Sequence, residues 1–468
     1  MEVNNLLMAA PIALYVAFLI YVMARLQLGH EVESGKKFAI GSGNLRWKII
    51  FATTAATMIG PAYSLAVVDK INSTGLYFVF FYLLATVQFF IFGKYFSASI
   101  YEKSRNSKTI GQLFLKEFNK PTQLFVGLIT VAQALAIVGV LCQAGAIVLN
   151  NIFGIEPSWA IIGIAVCVGF YSTIGGMPAV IKTDIAQFGL LLLALIIGGI
   201  AIFQLPNTQP VNLSQLSSNL MVSDIEPKVL FGLCIAFLLG EALIPAYAIR
   251  GFIGKSAMDI RKGFYATGVF ATFWFISLAI IGYLAVGTGL EGEGLLIKIV
   301  STSFENDAIR SIALGILAVS FLGVIMSTLD SILNAGAVSL TTDVMANVFK
   351  SVSTDDINEQ RKSVLVIAFL GIGFTAYSTD IVDILLLAYA IWVPTVLFPF
   401  AYLLLSKQPF KNNWSALIAM AMGIIGYNIN DLLSLSWLPA ILTGLVFNIV
   451  TLASIEKLAS ESRIKETD

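Results

Sequence analysis

The sequence predicts an all-α integral membrane protein of about thirteen transmembrane helices, ten of which form two oppositely oriented sets of five. Three observations lead to this fold class. Hydrophobic residues make up 57% of the 468 residues and charged residues only 12%, with a mean hydropathy of +0.86, so the bilayer is the solvent for most of the chain. Apolar stretches long enough to cross about 30 Å of hydrocarbon follow one another along the sequence. Two of these stretches, five apart in order, are interrupted by Gly and Pro.

The apolar stretches define thirteen predicted spans, which we number in chain order. They are residues 6–26, 47–68, 75–100, 122–150, 157–175, 183–204, 229–250, 262–287, 308–346, 362–379, 381–406, 413–430 and 436–455. Span 9 is longer than one crossing requires, so we expect its polar end to project into water.

Basic residues are distributed unequally between the two sets of connecting loops. When the loops are assigned alternately to the two membrane sides, all but four of the 28 Lys and Arg lie on one side. The four exceptions are Lys70, Lys228, Lys298 and Arg310. Because cytoplasmic loops are enriched in Lys and Arg, this bias predicts a multi-pass protein of the cell (inner) membrane. Its N-terminus would lie outside and its C-terminus in the cytoplasm, which requires an odd number of spans.

Charge and residue usage also exclude some classes of function. The net charge of zero argues against a nucleic-acid partner. The three cysteines lie in apolar runs and are interpreted as packing residues. With His30 as the only histidine, the sequence offers no metal set or nucleophile–base pair, so an enzyme and a bound cofactor are not expected.

Spans 2 and 7 carry the interruptions, at Thr57–Pro61 and Gly240–Pro245. Proline removes a backbone donor and displaces the carbonyl one turn back, so both helices should be kinked or unwound near mid-membrane. Five spans separate them, so the two run in opposite directions. Broken helices at matching positions of two inverted halves are typical of secondary transporters, with the binding sites at the breaks. The alternative is chance, because Gly and Pro are common in membrane helices.

This repeat divides the chain into four predicted regions. They are 1–46, a peripheral first helix and inner loop; 47–204, the first repeat with helices 2–6; 205–406, the second repeat with helices 7–11; and 407–468, peripheral helices 12–13 with a cytoplasmic tail.

A polar stripe in span 9 is the strongest candidate for a binding site. At helical spacing its residues fall on one face, with Asp330 at the edge. They are Val324, Ser327, Thr328, Ser331 and Asn334. Hard oxygen ligands at membrane depth suit sodium, and span 2 can add the carbonyls of Ile50 and Thr53 before its break. The alternative is that the hydroxyls only bond the carbonyl one turn back.

Asp184 opens predicted span 6, after the Gly175-Gly176-Met177-Pro178 turn. One interpretation is an N-cap, with Gln187 three residues later completing a capping box. The other is a carboxylate at the inner mouth, which helps to release sodium or forms a second cation site. The members of that site would be Asp184, Ser327, Asp330 and Ser331.

Glu241 lies near mid-membrane in span 7, where a bare carboxylate normally has a partner. It could pair with a substrate ammonium at the break, or it could only stabilise the kink. The other candidate substrate-binding residues are Thr57, Gly60, Gln133, Tyr389 and Trp392. Aromatic residues in such spans more often pack against lipid or core.

Several motifs resemble the sodium/solute symporter family, which includes carriers of proline, sugars, pantothenate and sialic acid. They are Tyr-Ser-Thr-Ile-Gly-Gly-Met from Tyr171, Ile-Met-Ser-Thr-Leu-Asp-Ser from Ile325, Arg105 with Thr109-Ile110-Gly111-Gln112-Leu113-Phe114, and Pro245 with Tyr247 and Arg250. The resemblance covers nearly the whole chain. It implies the thirteen-helix, leucine-transporter-like fold, built from a five-plus-five inverted repeat of helices 2–6 and 7–11.

The resemblance also implies a sodium site between spans 2 and 9. Its ligands would be the carbonyls of Ile50, Thr53 and Val324 and the hydroxyls of Ser327 and Thr328. Asp330 departs from the family, because two-sodium members typically have a hydroxyl there. Ala55-Ala56-Thr57 departs too, because sugar and proline carriers place polar substrate contacts at that point.

The sequence therefore predicts a sodium-coupled symporter that imports a small polar organic solute by alternating access. Glu241 favours an amine-bearing solute such as an amino acid. One alternative is a membrane sensor that binds sodium and solute without flux, and another is a proton-coupled carrier that uses Asp330 or Glu241. The expected partners are the solute, the sodium ion and the lipid bilayer.

Overall fold

The computed structural model describes residues 5–29, 32–206, 208, 226–376, 380–432 and 439–465. Within these ranges the regular secondary structure is helical, apart from one isolated bridge between Leu45 and Gly254. His30 and most of the predicted outer loop 205–228 lie outside the described residues.

The first six predicted spans correspond to helices with the following bounds. Span 1 is Asn5–Leu28, span 2 is Trp47–Met58 with Pro61–Thr74, span 3 is Leu76–Lys103, span 4 is Lys120–Phe153, and spans 5 and 6 lie in Pro157–Ile202. Two short helices, Gly35–Ile40 and Ile110–Glu117, lie in the connections.

The remaining spans follow in the same order. Span 7 is Pro227–Leu239 with Pro245–Phe252, span 8 is Ala257–Thr288, span 9 is Asp307–Val348, span 10 is Ile357–Gly371 continued by Ile372–Ala376, span 11 is Ile381–Leu405, span 12 is Ser415–Leu432, and span 13 is Ala440–Lys465. The short helix Leu295–Ser303 precedes span 9.

The predicted break of span 2 is confirmed. Its first half ends at Met58, where the Ile59 N–H still bonds the Ala55 carbonyl, and Gly60 then has ψ of 165°. Pro61 starts the second half, a position where its missing N–H leaves no helical bond unmade. The two halves are inclined by 48°, so the backbone is no longer helical at Ile59 and Gly60.

Span 7 is broken in the predicted place as well. Its first half ends at Leu239 and its second begins at Pro245. Between them Leu243 has φ of +58°, a left-handed conformation that is uncommon for a residue with a branched side chain. Such outliers persist only where the surrounding structure enforces them.

Spans 5 and 6 are not joined by the loop that the sequence predicted at 176–182. Helical structure continues from Pro157 to Ile202, and Gly176 is its only non-helical residue, with φ of +48° and ψ of −151°. Asp184 therefore lies inside a helix, and its interpretation as an N-cap with a capping box is wrong. Gln187 instead donates to the Tyr15 hydroxyl at 2.5 Å.

The number of spans remains a prediction. Among the described residues, eight helices are individually long and apolar enough to cross a membrane, and the bent pair of span 2 adds a ninth. Spans 5 and 6 count there as one helix, and spans 7 and 12 contain only shorter apolar helices, Pro227–Leu239 and Ser415–Asn430.

Span 9 is the central helix of the described fold. It packs against spans 1, 4, 5, 6 and 10, and 78% of its most apolar window is buried inside the protein, against 22% for span 1. Because polar residues at membrane depth must face protein or water, this central position accommodates the polar stripe.

Candidate functional site

The polar stripe of span 9 faces the break of span 2. Thr328 joins them, because its Oγ1 donates to the Thr57 carbonyl at 3.1 Å and to the Val324 carbonyl, one turn back, also at 3.1 Å. A Cβ atom on Gly60 would lie 3.1 Å from Thr328 Oγ1, so the two spans approach each other tightly at this point. Both interpretations of the hydroxyl, a bond within its helix and a contact with span 2, therefore hold for Thr328.

Asp184 joins three spans at the same depth. Its Oδ1 accepts a hydrogen bond from Ser327 Oγ at 2.5 Å, and its Oδ2 accepts one from Thr53 Oγ1. Asp184, Thr53 and Ser327 are all fully buried. The structure therefore brings the predicted carboxylate directly to the predicted sodium residues of spans 2 and 9.

Arg250 is the residue that sequence reasoning missed at this site. Its guanidinium is fully buried, and Nη2 donates to the hydroxyls of Thr57 at 2.7 Å, Ser331 at 2.7 Å and Thr53 at 3.2 Å. The same nitrogen lies 3.6 Å from Asp184 Oδ2. A basic residue within a predicted span is rare enough to be a functional signal, but Arg250 stood at the end of span 7, where it was counted with the loops.

The second predicted cation site overlaps with these contacts. Asp184 and Ser331 are partners of Arg250, and Ser327 is bonded to Asp184. Asp330 has a different environment, because its Oδ2 accepts from the Tyr171 hydroxyl at 2.6 Å and its buried Oδ1 has no hydrogen-bond partner in the described structure. The Arg250 guanidinium thus lies where the sequence predicted a second bound cation.

The two predicted sodium ligands on span 2, Thr53 and Ile50, differ in their surroundings. The Thr53 carbonyl accepts a hydrogen bond from Thr57 Oγ1 at 2.9 Å. The Ile50 side chain packs against Gly254 and Gly263, where an added Cβ atom would touch it and collide with it, respectively.

The described residues contain no group of three His, Cys, Asp or Glu that could hold a metal ion. Sodium does not need such a group, because it prefers hard neutral and anionic oxygen ligands. Spans 2, 6 and 9 supply oxygens of this kind.

A second buried polar cluster surrounds Glu241 at the break of span 7. Its Oε2 accepts from the Tyr247 hydroxyl at 2.7 Å and its Oε1 from the Tyr389 hydroxyl at 3.2 Å. The Tyr389 hydroxyl is also hydrogen-bonded to that of Tyr63. The cluster therefore connects the broken spans 2 and 7 through span 11.

Span 11 also supports the irregular backbone beside Glu241. Trp392 Nε1 donates to the Ala242 carbonyl at 2.9 Å, which satisfies an acceptor that the broken helix leaves free. The Tyr389 ring packs so closely that a Cβ on Gly240 would lie 2.3 Å from it.

The six predicted substrate residues differ in their surroundings. A cavity of about 220 Å³ is lined by Glu241 but not by the other five. Thr57 and Gly60 lie with Arg250 and Thr328, while Tyr389 and Trp392 stand behind the break. Gln133 is buried in span 4 with its Nε2 unpartnered in the described structure.

Two broken helices, packed around a central polar helix and connected by buried charges, define a membrane transporter of the broken-helix class. Residues 38–423 match the model of the sodium:solute symporter family. The chain belongs to this family.

Solved structures support the leucine-transporter-like fold. The structure of a sodium-coupled sialic acid symporter in a substrate-bound outward-open state is similar, with a TM-score of 0.76 at 15% identity over 97% of this chain and 98% of that one. The inward-facing conformation of Mhp1 is similar with a TM-score of 0.59 at 11% identity over 90% and 93%. A manganese transporter of Eremococcus coleocola gives 0.56 at 12% identity over 87% and 95%.

Among curated proteins, the sodium-coupled monocarboxylate transporter 1 of Xenopus laevis is 26% identical over 186 residues. That match covers 40% of this chain and 28% of the relative.

Proposed function

We propose that this protein is a sodium-coupled symporter that imports a small polar organic solute by alternating access. The observation that carries the proposal is the meeting of the span 2 break with the span 9 stripe, where Thr328 Oγ1 contacts the Thr57 carbonyl. A binding event at this contact can change the angle between two spans. Family membership supports the coupling ion.

The proposed sodium ligands are the carbonyls of Ile50, Thr53 and Val324 and the hydroxyls of Ser327 and Thr328. Sodium binding here would replace the hydrogen bond between Thr328 and Val324 with contacts from both oxygens to the ion. Sodium entry would gain about 2.3 kcal/mol per charge for each 100 mV of inside-negative potential.

A second cation at Asp184, Ser327, Asp330 and Ser331 would have to displace the Arg250 guanidinium or share Asp184 with it. Like-charge repulsion at this distance is costly in a buried site. The contacts of Arg250 therefore favour one sodium ion per transport cycle.

Glu241 is the proposed contact for a polar group of the solute, with Thr57, Gly60, Gln133, Tyr389 and Trp392 lining or supporting its path. An amino acid satisfies this arrangement through its ammonium group. One of the similar proteins carries sialic acid and another carries monocarboxylates, so the family alone does not select a solute.

Uptake into proteoliposomes tests the proposal. The purified protein, reconstituted with potassium inside and sodium outside, should accumulate a solute from a mixed panel, and an equal potassium gradient should not support this. Accumulation that follows an imposed pH gradient without sodium would favour the proton-coupled alternative. Sodium-dependent binding without accumulation of any solute would favour the sensor.

A further inference from the structure

A pocket of about 700 Å³ lies where the short helix Gly35–Ile40 meets the chain just after span 1 and the start of span 6. Three lysines line it, Lys36 and Lys37 from the short helix and Lys182 from the start of span 6. None of the described residues that line it is acidic. The distribution of Lys and Arg predicts that this end of the spans is cytoplasmic. The pocket is therefore a concave, positively charged surface at the expected level of the inner headgroups.

The short helix that carries two of these lysines is fixed to the body of the protein. Ser34 caps its start, since its hydroxyl oxygen accepts from the Lys37 N–H at 3.2 Å. Phe38 is fully buried, and its carbonyl accepts from Asn334 Nδ2 of the span 9 stripe at 3.0 Å. The lysine backbones are thus held in place, and only their side chains need to move to meet a ligand.

Competition from the protein for the two lysines of the short helix is weak. Lys36 forms no ion pair within the described part of the chain. Lys37 pairs with Glu33 at 3.5 Å, with 49% and 60% of the two side chains exposed. Because exposed pairs contribute about 1 kcal/mol or less, an anion that enters the pocket gives up little when it replaces this contact.

Beside the pocket, span 6 presents an exposed apolar face. Ile185, one turn after Ile181 of the pocket lining, is 49% exposed. The exposed residues of this face follow at helical spacing. They are Ile185, Gly189, Leu193, Ile196 and Ile200. In a bilayer such a face contacts acyl chains, so the charged pocket lies at the cytoplasmic end of a lipid-facing surface.

We propose that this pocket binds an anionic phospholipid of the cytoplasmic leaflet. Its phosphate group lies among Lys36, Lys37 and Lys182, and an acyl chain lies along the exposed face of span 6. Basic pockets between transmembrane helices on the cytoplasmic side bind anionic headgroups in this way. A soluble phosphate ester would meet the same lysines but would leave the face of span 6 unused. The site is separate from the proposed sodium and solute sites and does not depend on them.

A bound headgroup would hold the short helix against the junction of spans 5 and 6. A Cβ atom on Gly41, which ends the short helix, would lie 3.8 Å from the side chains of Met177 and Pro178. At Gly176, a Cβ atom would lie 2.5 Å from the Phe38 carbonyl oxygen. Because the lipid would connect two elements that are already packed together, its binding should raise the melting temperature of the purified protein.

Matched ligands separate the lipid from its parts. The full-length protein, purified in a non-ionic detergent and depleted of lipid, is titrated with phosphatidylglycerol, with phosphatidylcholine of the same acyl chains, and with sn-glycerol 3-phosphate. Phosphatidylglycerol should raise the melting temperature, and less so at high salt, whereas the other two should not. Equal stabilisation by phosphatidylcholine would overturn recognition by charge. Equal stabilisation by glycerol phosphate would show that the pocket takes a soluble phosphate ester and that the lipid assignment is wrong.

Variants locate the site. Replacing Lys36, Lys37 and Lys182 together by Gln should raise the phosphatidylglycerol concentration for half-maximal stabilisation on the order of a hundredfold, since each lysine near the membrane surface contributes about fivefold. Lys36→Gln alone should raise it about fivefold, and this exposed side chain can be changed without loss of an ion pair.

The control variant removes the same charge elsewhere. Lys120, Lys350 and Lys407 are exposed, are predicted to lie on the same membrane side and do not line the pocket. Replacing these three by Gln should leave the phosphatidylglycerol titration within about twofold of the wild type. Equal weakening in the two triple variants would show that the lipid responds to net charge alone, which would contradict a site at the pocket.

Discussion

Arg250 and Asp184 form a fully buried charge pair that links spans 2, 6, 7 and 9 through shared hydroxyl groups. Burying two charges costs several kcal/mol each, and the cost is recovered only when further hydrogen bonds satisfy both groups. Thr53 does this for both partners, since it donates to Asp184 and accepts from Arg250. The pair is therefore a point at which the broken helices are held in register.

The first prediction concerns this pair. Asp184→Asn should lower the free energy of unfolding by about 3–5 kcal/mol, because it leaves the guanidinium buried without a counter-charge. The measurement is denaturant unfolding in detergent. Lys362→Gln is the control, since its pair with Glu359 is exposed and should be worth about 1 kcal/mol or less. Equal losses in the two variants would show that the buried pair has no special role.

The second prediction concerns the proposed sodium ligands. Thr328→Ala should raise the sodium concentration for half-maximal stabilisation or uptake about tenfold, because one oxygen ligand is lost, and Thr328→Ser should largely restore it. Thr267→Ala is the control, since Thr267 Oγ1 makes the same bond one turn back, to the Gly263 carbonyl at 3.0 Å. An unchanged sodium requirement in Thr328→Ala would exclude this hydroxyl as a ligand.

The sequence was sufficient to single out Ser327 and Thr328 as candidates, because hydroxyls on one face of an apolar helix are conspicuous and their chemistry suits sodium. It was not sufficient for Arg250, because a basic residue at the end of a span is ordinarily an orientation signal. The side chain of Arg250 points toward spans 2, 6 and 9 because of the irregular backbone before Pro245, and sequence spacing does not specify that backbone. The hydrogen bond from Tyr171 to Asp330 likewise depends on how spans 5 and 9 are rotated against each other.

At the level of helices, breaks that contain proline were predictable and the junction of spans 5 and 6 was not. The first halves of spans 2 and 7 end shortly before Pro61 and Pro245, because a proline has no N–H with which to continue the preceding helix. Between spans 5 and 6, Gly176 alone adopts the non-helical conformation, although Pro178 lies two residues later. A single glycine with positive φ can change the direction of a helix without a loop, and a composition-based reading assigns a loop instead.

The third prediction tests that glycine. Gly176→Ala should destabilise the protein by about 1–3 kcal/mol, because φ is +48° and the new Cβ would lie 2.5 Å from the Phe38 carbonyl oxygen. Gly189→Ala, in the same helix with nothing within 4 Å of its Cβ position, should be neutral or stabilise by up to about 1 kcal/mol. Thermal unfolding compares the two, and similar values would mean that Gly176 carries no conformational constraint.

For the whole molecule, hydropathy was enough to predict a multi-pass membrane protein, since its signal is averaged over hundreds of residues. The number of crossings is harder, because it depends on where a continuous helix turns. Pro157–Ile202 has 46 residues and would be roughly 70 Å long if straight, at about 1.5 Å per residue. A bilayer core of about 30 Å cannot contain a straight apolar helix of that length, so two crossings that meet near Gly176 are expected.

Cysteine labelling tests this expectation, and with it the predicted total of thirteen spans. In a background without Cys142, Cys167 and Cys234, single cysteines at Ile155 and Gln204, which flank the helix, should both react with a membrane-impermeant maleimide in intact cells. A cysteine at Lys350, which we place in the cytoplasm, should react only after the cells are permeabilised. If the helix crossed the membrane once, Ile155 and Gln204 would label from opposite sides. That result would remove one span, make the total even and place both chain ends on the same side, contrary to the orientation inferred from the Lys and Arg distribution.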